Sequence, residues 1–385
     1  MKGGNGLRVI LRLFATILLL SSIWFLFLKG QQGLDVPSLY ENIQTKLMTI
    51  KENPDVTIAI NTLETGFDTL LIEIDQALNS LQKDQQKKED KIAKPILDDP
   101  ISHSFSIHNI ELGDSKADVE SVVGAAKRSS YNEYGVEWFA YHENYQNFFM
   151  AAFDEENKVV GLFTNQDLLT SKQGIKIGSS MDVVLDQLGE PSTSIRKGLI
   201  SYQIENQGEY HLFEVDNSYV TVFYDKHENQ SVTAIQIIST DLEKQKDAYY
   251  SVESKELKEG FEYQLFDLTN AARVVHGLPV LSWDEAVTVT ARDHSTDMAQ
   301  NHYFNHTNLE GQSPFDRMKE DHISFRAAGE NLAAGQLSSI FAHEGLMNSL
   351  GHRENILQPD FEALGVGVAF DAESRPYYTE NFLAH

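Results

Sequence analysis

The sequence predicts an α+β fold class, with a C-terminal α/β/α sandwich preceded by a duplicated small α+β domain, a helical stalk and an N-terminal membrane helix. Three observations predict this order. An apolar run follows basic residues at the amino terminus, one motif occurs twice in the middle of the chain, and helical periodicity with strand-like alternation fills the last third. At 385 residues the chain also exceeds the length that one compact core usually serves.

Charge and composition restrict the partners of the chain. The formal net charge of -26 argues against nucleic acid, because phosphate binding needs a basic surface, and it suits cations better than polyanions. The chain has no cysteine, which excludes disulfides, thiolate metal sites and cysteine nucleophiles together. Any metal ligand must therefore come from histidine, aspartate or glutamate.

Residues 1–29 predict a membrane segment. Lys2, Arg8 and Arg12 precede a charge-free apolar run over 13–28, which is about one bilayer core long if the apolar residues just before it join the helix. Basic residues on this side predict a single-pass anchor in the cell membrane, with the bulk of the chain extracytoplasmic. A cleaved signal, which would give a secreted protein, is the alternative, although no small-x-small cleavage pattern follows the run.

Residues 30–103 predict a helical and charged stalk. Apolar residues between 39 and 81 recur at helical spacing, whereas 82–91 contains no apolar residue and cannot bury a face. Pro95 and Pro100 end this stretch. We interpret the stalk as a spacer that holds the later domains away from the membrane, with a binding site for a partner helix as the alternative.

A motif occurs twice in the middle of the chain. "IELGDSKADVESVVG" at 110–124 returns as "IKIGSSMDVVLDQLG" at 175–189. Each copy predicts a strand-like start, a Ser or Asp helix cap and an apolar helix face that ends at a glycine, and alternating aromatic segments predict antiparallel strands after each helix. The predicted apolar faces are Val119 and Val123 in the first copy and Val183, Leu185 and Leu188 in the second.

This region, 105–245, resembles the CAP-associated amino-terminal domain of bacterial surface proteins, mainly through the repeated I-x-[LI]-G motif. His142, His211 and His227 are scattered along this region and do not form a catalytic set. We therefore expect one packed platform rather than two enzymes. The charged stretch 241–257 lacks a clear apolar period and predicts the next domain boundary.

The last domain, 258–385, starts with two predicted helices. Gly277 and Pro279 end the first helix, and Ser282 to Glu285 reads as a capping box that starts the second. His294 falls on the apolar stripe of the second helix, so we interpret it as a hydrogen-bonded core histidine rather than a ligand. The two apolar stripes are Phe261, Leu265, Leu268, Ala272 and Val275, followed by Val287, Ala291, His294 and Met298.

Further elements complete an α/β/α unit. Ser313-Pro314 predicts the start of a short helix, and another helix is predicted from 339 to 348. Bulky residues from 364 to 370 alternate with Gly365 and Gly367, which predicts a strand with one bare face that permits close approach of another element. An antiparallel partner strand is expected at 377–382.

Five ordered motifs in this domain carry a family resemblance: "HSTDMAQNHYFNHTN", "SPFDRM", "AAGENLAAG", "NSLGHRENIL" and "LGVGVAF". They resemble the CAP superfamily, which includes cysteine-rich secretory proteins, insect antigen 5 and plant pathogenesis-related proteins. The resemblance covers 258–385 and is closest in style to the bacterial, disulfide-free branch. It implies an α-β-α sandwich with a central cleft.

The resemblance also implies a site. In that family two histidines and two glutamates face the cleft and can bind a divalent cation such as zinc or calcium; motif by motif, His306, Glu330 and His352 match three of them. Ser349 stands where the second glutamate would be. Two imidazoles and one carboxylate with room for water would make an open zinc site. The alternative is a polar network in which His352 caps a helix carboxyl end and Glu330 pairs with Arg353 or backbone amides.

Two functions follow from these residues. One is a binding or scaffold module at the cell surface, with a cell-wall, lipid or peptide ligand, and the other is a metal-dependent hydrolase that uses His306, Glu330 and His352. The chain has no G-x-S-x-G elbow, and the H-E pair at 343–344 lacks the second histidine of H-E-x-x-H because Met347 occupies that position. A serine mechanism through Ser349 and His352 lacks a visible third group. Binding without turnover is therefore the preferred class.

Overall fold

The computed structural model describes residues 92–197, 200–204, 208–246 and 248–385. The predicted membrane segment and the stalk up to residue 91 lie outside this range. None of the helices in the described residues combines the length and hydropathy that a membrane crossing needs. Residues 92–103, the end of the predicted stalk, run along the first domain without regular structure. Their backbone is tied to it, for example where Ile92 N–H donates to Gln146 Oε1 at 3.1 Å.

The first part of the described chain, β1 to α3, is called the accessory domain below. Seven of its strands form one sheet in the order β2-β3-β4-β5-β11-β10-β9, while β1 pairs with β6 and β7 with β8. The bounds are β1 Phe105–Ile107, α1 Lys116–Val123, β2 Arg128–Tyr131, β3 Glu137–Glu143, β4 Gln146–Phe153, β5 Val159–Thr164, β6 Leu169–Ser171, α2 Met181–Leu188, β7 Ser194–Lys197, β8 Ile200–Gln203, β9 Tyr210–Val215, β10 Ser218–Asp225, β11 Ser231–Ser239 and α3 Thr240–Gln245.

The two motif copies form the helices α1 and α2, with equivalent caps. Ser115 and Ser180 cap their amino ends by accepting a backbone N–H, and Gly124 and Gly189 follow their last residues with φ of 78° and 79°. The strands after α1 and those after α2 occupy the two halves of the sheet, which meet where β5 pairs antiparallel with β11.

The predicted face of α2 was wrong at one of its three positions, since Leu185 and Leu188 pack against the core but Val183 does not. Val184 is fully buried, whereas Val183 is 43% exposed. The capping serine explains the difference, because Val119 lies four residues after Ser115 and Val184 lies four residues after Ser180. The cap therefore fixes which side of each helix meets the sheet.

The seven-stranded sheet is buried on both faces. One face packs under α1 and α2, and the other packs against two helices of the C-terminal unit through Leu268, Ala271 and Ile340. Strand β4 shows this double burial most clearly, because successive side chains alternate between two cores. Phe149, Ala151 and Phe153 belong to the first core, and Phe148, Met150 and Ala152 belong to the second.

The C-terminal unit, α4 to β15, has an α/β/α arrangement. Its four-stranded sheet has the order β12-β14-β15-β13, in which β14 and β15 pair antiparallel as predicted. The bounds are α4 Lys255–Val275, β12 Ser282–Trp283, α5 Glu285–Asn301, α6 Pro314–Glu320, β13 Ala327–Ala334, α7 Ser339–Met347, α8 Leu350–Ile356, β14 Ala363–Phe370 and β15 Pro376–Ala384.

The bare face of β14 lies against α5. A Cβ placed on Gly365 would stand 2.4 Å from Thr288 N, and one on Gly367 would stand 2.1 Å from Arg292 N. The prediction of a close helix approach at these glycines is confirmed. On α5 the predicted stripe is buried, and His294 is a core histidine, 1% exposed, with Nε2 at 3.0 Å from the Asn305 carbonyl.

The start of α5 differs from the predicted capping box. Ser282 pairs with Ala363 in the short parallel strand β12, and its hydroxyl donates to the Glu362 carbonyl. The cap therefore moves to Asp284, whose carboxylate accepts from Val287 N–H at 3.1 Å. A tertiary strand pairing has displaced the local capping signal.

Helix α4 lies between the two sheets. Three residues of its predicted apolar face, Phe261, Leu265 and Ala272, share a core with β14. Leu268 packs against the accessory domain instead, and Val275 at the helix end is 55% exposed. The opposite side meets the accessory domain, where a Cβ on Gly260 would stand 2.0 Å from Tyr131 O and Gln264 Nε2 donates to that same carbonyl at 2.9 Å. Further along, Asp267 pairs with Arg128 at 3.1 Å. The helix is thus buried on both sides, and the two domains share an interior.

A second contact joins the β10–β11 turn to the α7–α8 turn. Asn348 donates to the Tyr224 carbonyl and accepts from Lys226 N–H, both at 2.9 Å. Arg353 Nη1 lies 2.8 Å from Asp225 Oδ2, and both side chains of this ion pair are nearly buried. The accessory domain therefore holds the turn that contains the "NSLGHREN" motif.

The glycine face of β14 predicts a strong effect of a single methyl group. Gly367→Ala forces the backbones of β14 and α5 apart, so we expect it to lower the free energy of unfolding by at least about 3 kcal/mol. Gly345→Ala is the matched control, because a Cβ at this position in α7 meets no atom within 4 Å. It should be neutral or stabilising by up to about 1 kcal/mol. Chemical denaturation of both variants measures the contrast, and equal stability would contradict the tight packing.

The ion pair between the domains gives a second prediction. Asp225→Asn leaves the Arg353 guanidinium buried without its counter-charge, which should lower the free energy of unfolding by about 3 kcal/mol. Glu228 lies 3.8 Å from the same guanidinium but is 64% exposed, so Glu228→Gln is the control and should change stability by less than about 0.5 kcal/mol. Similar losses in the two variants would mean that the buried pair does not stabilise the contact.

Candidate functional site

The structure brings His306 and Glu330 together. His306 lies in the loop between α5 and α6, and Glu330 lies on β13. The imidazole Nδ1 donates to Glu330 Oε1 at 2.9 Å, so that a half-exposed ring rests on a buried carboxylate. Two segments that are distant in sequence thus meet in one polar contact.

Arg317 is a site residue that the sequence interpretation missed. Its Nη2 donates to Glu330 Oε2 at 2.6 Å, and its Nη1 donates to the His306 carbonyl at 2.8 Å. Both oxygens of Glu330 are therefore already engaged by positively charged or N–H groups. The arginine belongs to the motif "SPFDRM", whose position between the histidine and glutamate motifs was the available signal. Arg353, the partner expected for Glu330, pairs with Asp225 instead.

His352 lies in the first turn of α8, and Ser349 is the N-cap residue of this helix. The His352 Nδ1 and the Ser349 Oγ are 2.8 Å apart. The alternative that His352 caps a helix carboxyl end is wrong, because α7 ends at Met347 with Asn348 as its C-cap and a new helix begins at Leu350. Burial, and in addition the charge of His306, lowers the pKa of His352.

The two imidazoles share a pattern of contacts. Nδ1 of His306 is held by a carboxylate and Nδ1 of His352 by a hydroxyl. No described residue forms a hydrogen bond with Nε2 of either ring. A carboxylate on Nδ1–H places the lone pair of His306 on Nε2, which is the arrangement of a histidine prepared to bind a metal. The Ser349 hydroxyl can donate or accept, so it fixes the tautomer of His352 less firmly.

His306, Glu330 and His352 do not form a compact set of three ligands. Among the described residues, the group of three whose ligand atoms all lie within 4.8 Å of one another consists of His302, Asp371 and Glu373, mostly exposed side chains beside the β14–β15 turn. Both oxygens of Glu330 are instead engaged by His306 and Arg317.

A buried polar network supports the site from beneath. Asn331, next to Glu330, donates to the His352 carbonyl at 3.2 Å and to Glu380 Oε2 at 3.1 Å. Thr269 of α4 donates to the other oxygen of Glu380 at 2.8 Å. Burial raises the pKa of Glu380 to about 7 despite these two donors. The network joins the central helix, the sheet and the backbone of His352.

Comparisons with known proteins agree with this architecture. The sequence matches the CAP-associated N-terminal family over residues 112–249 and the cysteine-rich secretory protein family over residues 266–382. It is 31% identical over 290 residues to the membrane protein YlbC of Bacillus subtilis, which covers 71% of this chain and 82% of that protein. The chain belongs to the cysteine-rich secretory protein (CAP) family.

Solved structures of this family have the same fold. An extracellular protein with an SCP domain from Bacillus anthracis superposes with a TM-score of 0.62 at 28% identity. The superposition covers 76% of this chain and 100% of that chain. A cysteine-rich secretory protein from Staphylococcus aureus superposes with a TM-score of 0.57 at 16% identity, covering 74% of this chain and 95% of that chain. The second likeness concerns the fold alone. Both comparisons extend over more of the chain than the CAP domain.

Two features relevant to hydrolysis are visible in this CAP domain. The hydrogen bond between Ser349 and His352 has the length expected of a nucleophile and its base, but no described carboxylate bonds to the other ring nitrogen. The side chains of His343 and Glu344 are both buried, because α7 is enclosed between the domains. Burial lowers the pKa of His343 to about 3 and raises that of Glu344 to about 8.

The raised pKa of Glu380 predicts a pH-dependent effect on stability. Between the usual glutamate pKa and about 7, Glu380 is protonated in the folded state but ionised in the unfolded state. The contribution of this proton to stability is therefore complete at low pH and is lost as the pH rises through 7. Glu380→Gln stays neutral, and the Thr269 hydroxyl can rotate to accept its N–H. We expect the variant to exceed the parent in free energy of unfolding by up to about 3 kcal/mol at pH 8 and by much less at pH 5. Denaturation at both pH values tests this, and a pH-independent difference contradicts it.

Proposed function

We propose that this protein is an extracytoplasmic binding module of the CAP family whose site takes a divalent cation through Nε2 of His306 and Nε2 of His352. The contacts at Nδ1 carry the proposal, since both rings are oriented there by other side chains. Orientation of a ligating imidazole through its second nitrogen is the usual support of a metal site. Glu330 acts in this site as the group that orients His306, and not as a ligand.

The chemistry of these atoms favours zinc over calcium. Calcium needs six to eight oxygen ligands, whereas both oxygens of Glu330 are occupied by Arg317 and His306. Imidazole nitrogen suits zinc, copper and nickel. Two protein ligands leave the remaining positions to water or to a bound ligand, so the cation would be held less tightly than in a site with three histidines. Such open positions are where a peptide or cell-wall ligand could coordinate.

The proposed location rests on the amino-terminal sequence and on the relatives. Basic residues precede the apolar run of residues 13–28, which is the arrangement of a single-pass anchor with its carboxyl side outside. One relative is named a membrane protein, and a similar solved protein is described as extracellular. The stalk would then separate the described domains from the membrane.

The accessory domain is proposed to act as a platform that fixes the site. We interpret its two motif copies as a duplication, supported by the equivalent caps of α1 and α2 and by the sheet halves that meet at β5 and β11. Its β10–β11 turn holds Asn348 and Arg353, the residues on either side of Ser349 and His352. The position of one ligand therefore depends on a contact between domains.

A hydrolase is the second candidate, because Ser349 and His352 are within hydrogen-bonding distance. An ester and peptide library separates the two functions. If the parent protein hydrolyses a member of the library and Ser349→Ala or His306→Ala abolishes this turnover, the protein is a hydrolase and the binding proposal is wrong. Zinc binding without turnover supports the binding module.

The two-histidine site predicts opposite effects of two substitutions at one position. Ser349→Asp supplies a carboxylate to Nδ1 of His352 and is also a favourable N-cap residue for α8, so zinc affinity should rise by about tenfold. Ser349→Ala removes the orienting group and should weaken zinc binding by several-fold. His306→Ala or His352→Ala should weaken it by at least about tenfold. Isothermal titration calorimetry of the purified full chain with ZnCl2 measures each affinity.

The control for this series is His276→Ala, which removes an exposed histidine just after α4 and should leave zinc affinity unchanged. Calcium is the control cation, because the proposed site does not bind it through imidazole. The calcium affinity of His306→Ala should therefore be no lower than that of the parent protein. If zinc binds the parent, His306→Ala and His276→Ala alike, the metal binds elsewhere and the proposal fails.

A further inference from the structure

A separate cavity of about 60 Å³ lies where the accessory domain meets α7. Its wall comes from strands β9 to β11, from the segments around residues 133 and 246, and from Leu337 and Phe341 of the C-terminal unit. Neither His306 nor His352 lines it. A cavity of this size has room for about four to six water molecules, which is also the space of an organic ion with a few non-hydrogen atoms.

Two buried polar side chains line this cavity with unpaired atoms. Glu133 is 3% exposed and Gln236 is 2% exposed. Within the described part of the chain, no hydrogen-bond partner reaches Glu133 Oε2 or Gln236 Nε2. A buried carboxylate oxygen without a donor is costly, and such an atom needs an explanation in a ligand, an ion or water. Glu133 and Gln236 therefore bring one unpaired acceptor and one unpaired donor close to the cavity.

The rest of the wall is rich in aromatic side chains. Tyr134, Tyr210, Tyr219 and Tyr249 line the cavity together with Phe341, which packs edge-on against Tyr210 at 5.1 Å between ring centroids. Aromatic faces attract organic ammonium ions through their quadrupoles, most strongly where a carboxylate is also present and water is scarce. Apolar methyl groups on such an ion gain burial at the same surface.

The protein already places one ammonium group at this wall. Lys246 Nζ lies over the Tyr134 ring, 5.6 Å from its centroid. Burial raises the pKa of Glu133 to about 7, and the charge of Lys246 opposes this rise only in part, so the carboxyl group is ionised above that pH. Glu243 also lines the cavity, and the Tyr134 hydroxyl bonds to it. Above the pKa of Glu133, two carboxylates and one lysine thus lie at the cavity wall. The position of Lys246 shows that this wall accepts a positive charge and that an aromatic ring contacts it.

We propose that this cavity is a binding site for a small organic ammonium ion that carries a hydrogen-bond acceptor, such as a hydroxyl group. The ammonium group would approach Glu133 Oε2 and the tyrosine rings, and the hydroxyl would accept from Gln236 Nε2. Choline has this combination of groups. The site is independent of the cation site at His306 and His352, since the two share no residue.

The test uses choline and 3,3-dimethylbutan-1-ol, which has the same shape with a carbon in place of the charged nitrogen. Saturation-transfer NMR of the purified full chain, at pH 8.5 with EDTA present, follows the methyl singlet of each compound in one sample. We expect choline to bind at least about tenfold more tightly than the neutral alcohol. Tetramethylammonium, which lacks the hydroxyl, should bind more weakly than choline, because Gln236 would stay unpaired.

Two variants should move choline affinity in opposite directions. Glu133→Gln removes the carboxylate and should weaken binding about tenfold, whereas Lys246→Met removes the competing ammonium group and should strengthen binding several-fold. Glu155→Gln removes an exposed carboxylate from the same domain and is the matched control, with no expected change.

Several results would overturn the proposal. Equal binding of the neutral alcohol would make the cavity merely apolar, and choline affinity that is unchanged in Glu133→Gln would place the ion elsewhere. If Glu133→Gln fails to fold, the Lys246→Met variant tests the proposal instead, because the Lys246 side chain is partly exposed and its replacement should not prevent folding. Choline binding that is unchanged or weaker in Lys246→Met contradicts the proposal. The absence of choline saturation transfer in both the parent and Lys246→Met also contradicts it.

Discussion

Burial of α4 on both sides is the constraint on which the rest of the described structure depends. A helix at the surface of a domain needs one apolar stripe, but α4 is enclosed by the sheet of its own unit and by the sheet of the accessory domain. Polar groups at the second interface must then be paired, because unpaired ones cost free energy in the absence of water. Asp267 satisfies this requirement through Arg128 and through the Tyr145 hydroxyl at 2.7 Å. Even so, burial raises the pKa of Asp267 to about 6.

The same constraint reaches the candidate site. Thr269 of α4 bonds to Glu380, which bonds to Asn331, which in turn holds the His352 carbonyl. From the other side, the accessory domain holds Asn348 and Arg353. His352 is therefore positioned from two directions by groups that are themselves buried. A rigid support of this kind would keep the proposed ligand His352 oriented without a carboxylate at position 349.

Much of the CAP domain could be predicted from the sequence, because its signals are local or periodic. The stripe of α5, the core role of His294 and the bare face of β14 all follow from spacing, and they are confirmed. The predictions failed where tertiary contacts overrode local rules. Ser282 is a good cap residue, but its strand pairing moved the cap to Asp284. In α2, the prediction placed Val183 inward, whereas the position of the Ser180 cap turns Val184 inward.

The contact between the domains could not be read from periodicity alone. The second buried side of α4 contains Gly260, Gln264 and Asp267, which in a sequence look like a solvated face. The available signal was in the partner: the continuous apolar segment "NFFMAAF" in β4 has no polar side, which is typical of a strand buried on both faces. In the site, histidine and glutamate positions followed from the family resemblance. The role of Arg317 did not, since only the fold brings α6 next to β13.

The substitution at position 349 and the presence of Arg317 together set the charge of the proposed cation site. Glu330 is balanced by Arg317, and burial lowers the pKa of His352, which favours the neutral imidazole at this position. The chain as a whole carries a net charge of -26, which raises the concentration of cations around it without selecting among them. Selection must then come from the ligand type. Neutral imidazole nitrogens favour borderline metals over calcium and magnesium, which are held by oxygen. An acidic protein whose proposed ligands are two imidazole nitrogens would therefore attract many cations and retain few of them.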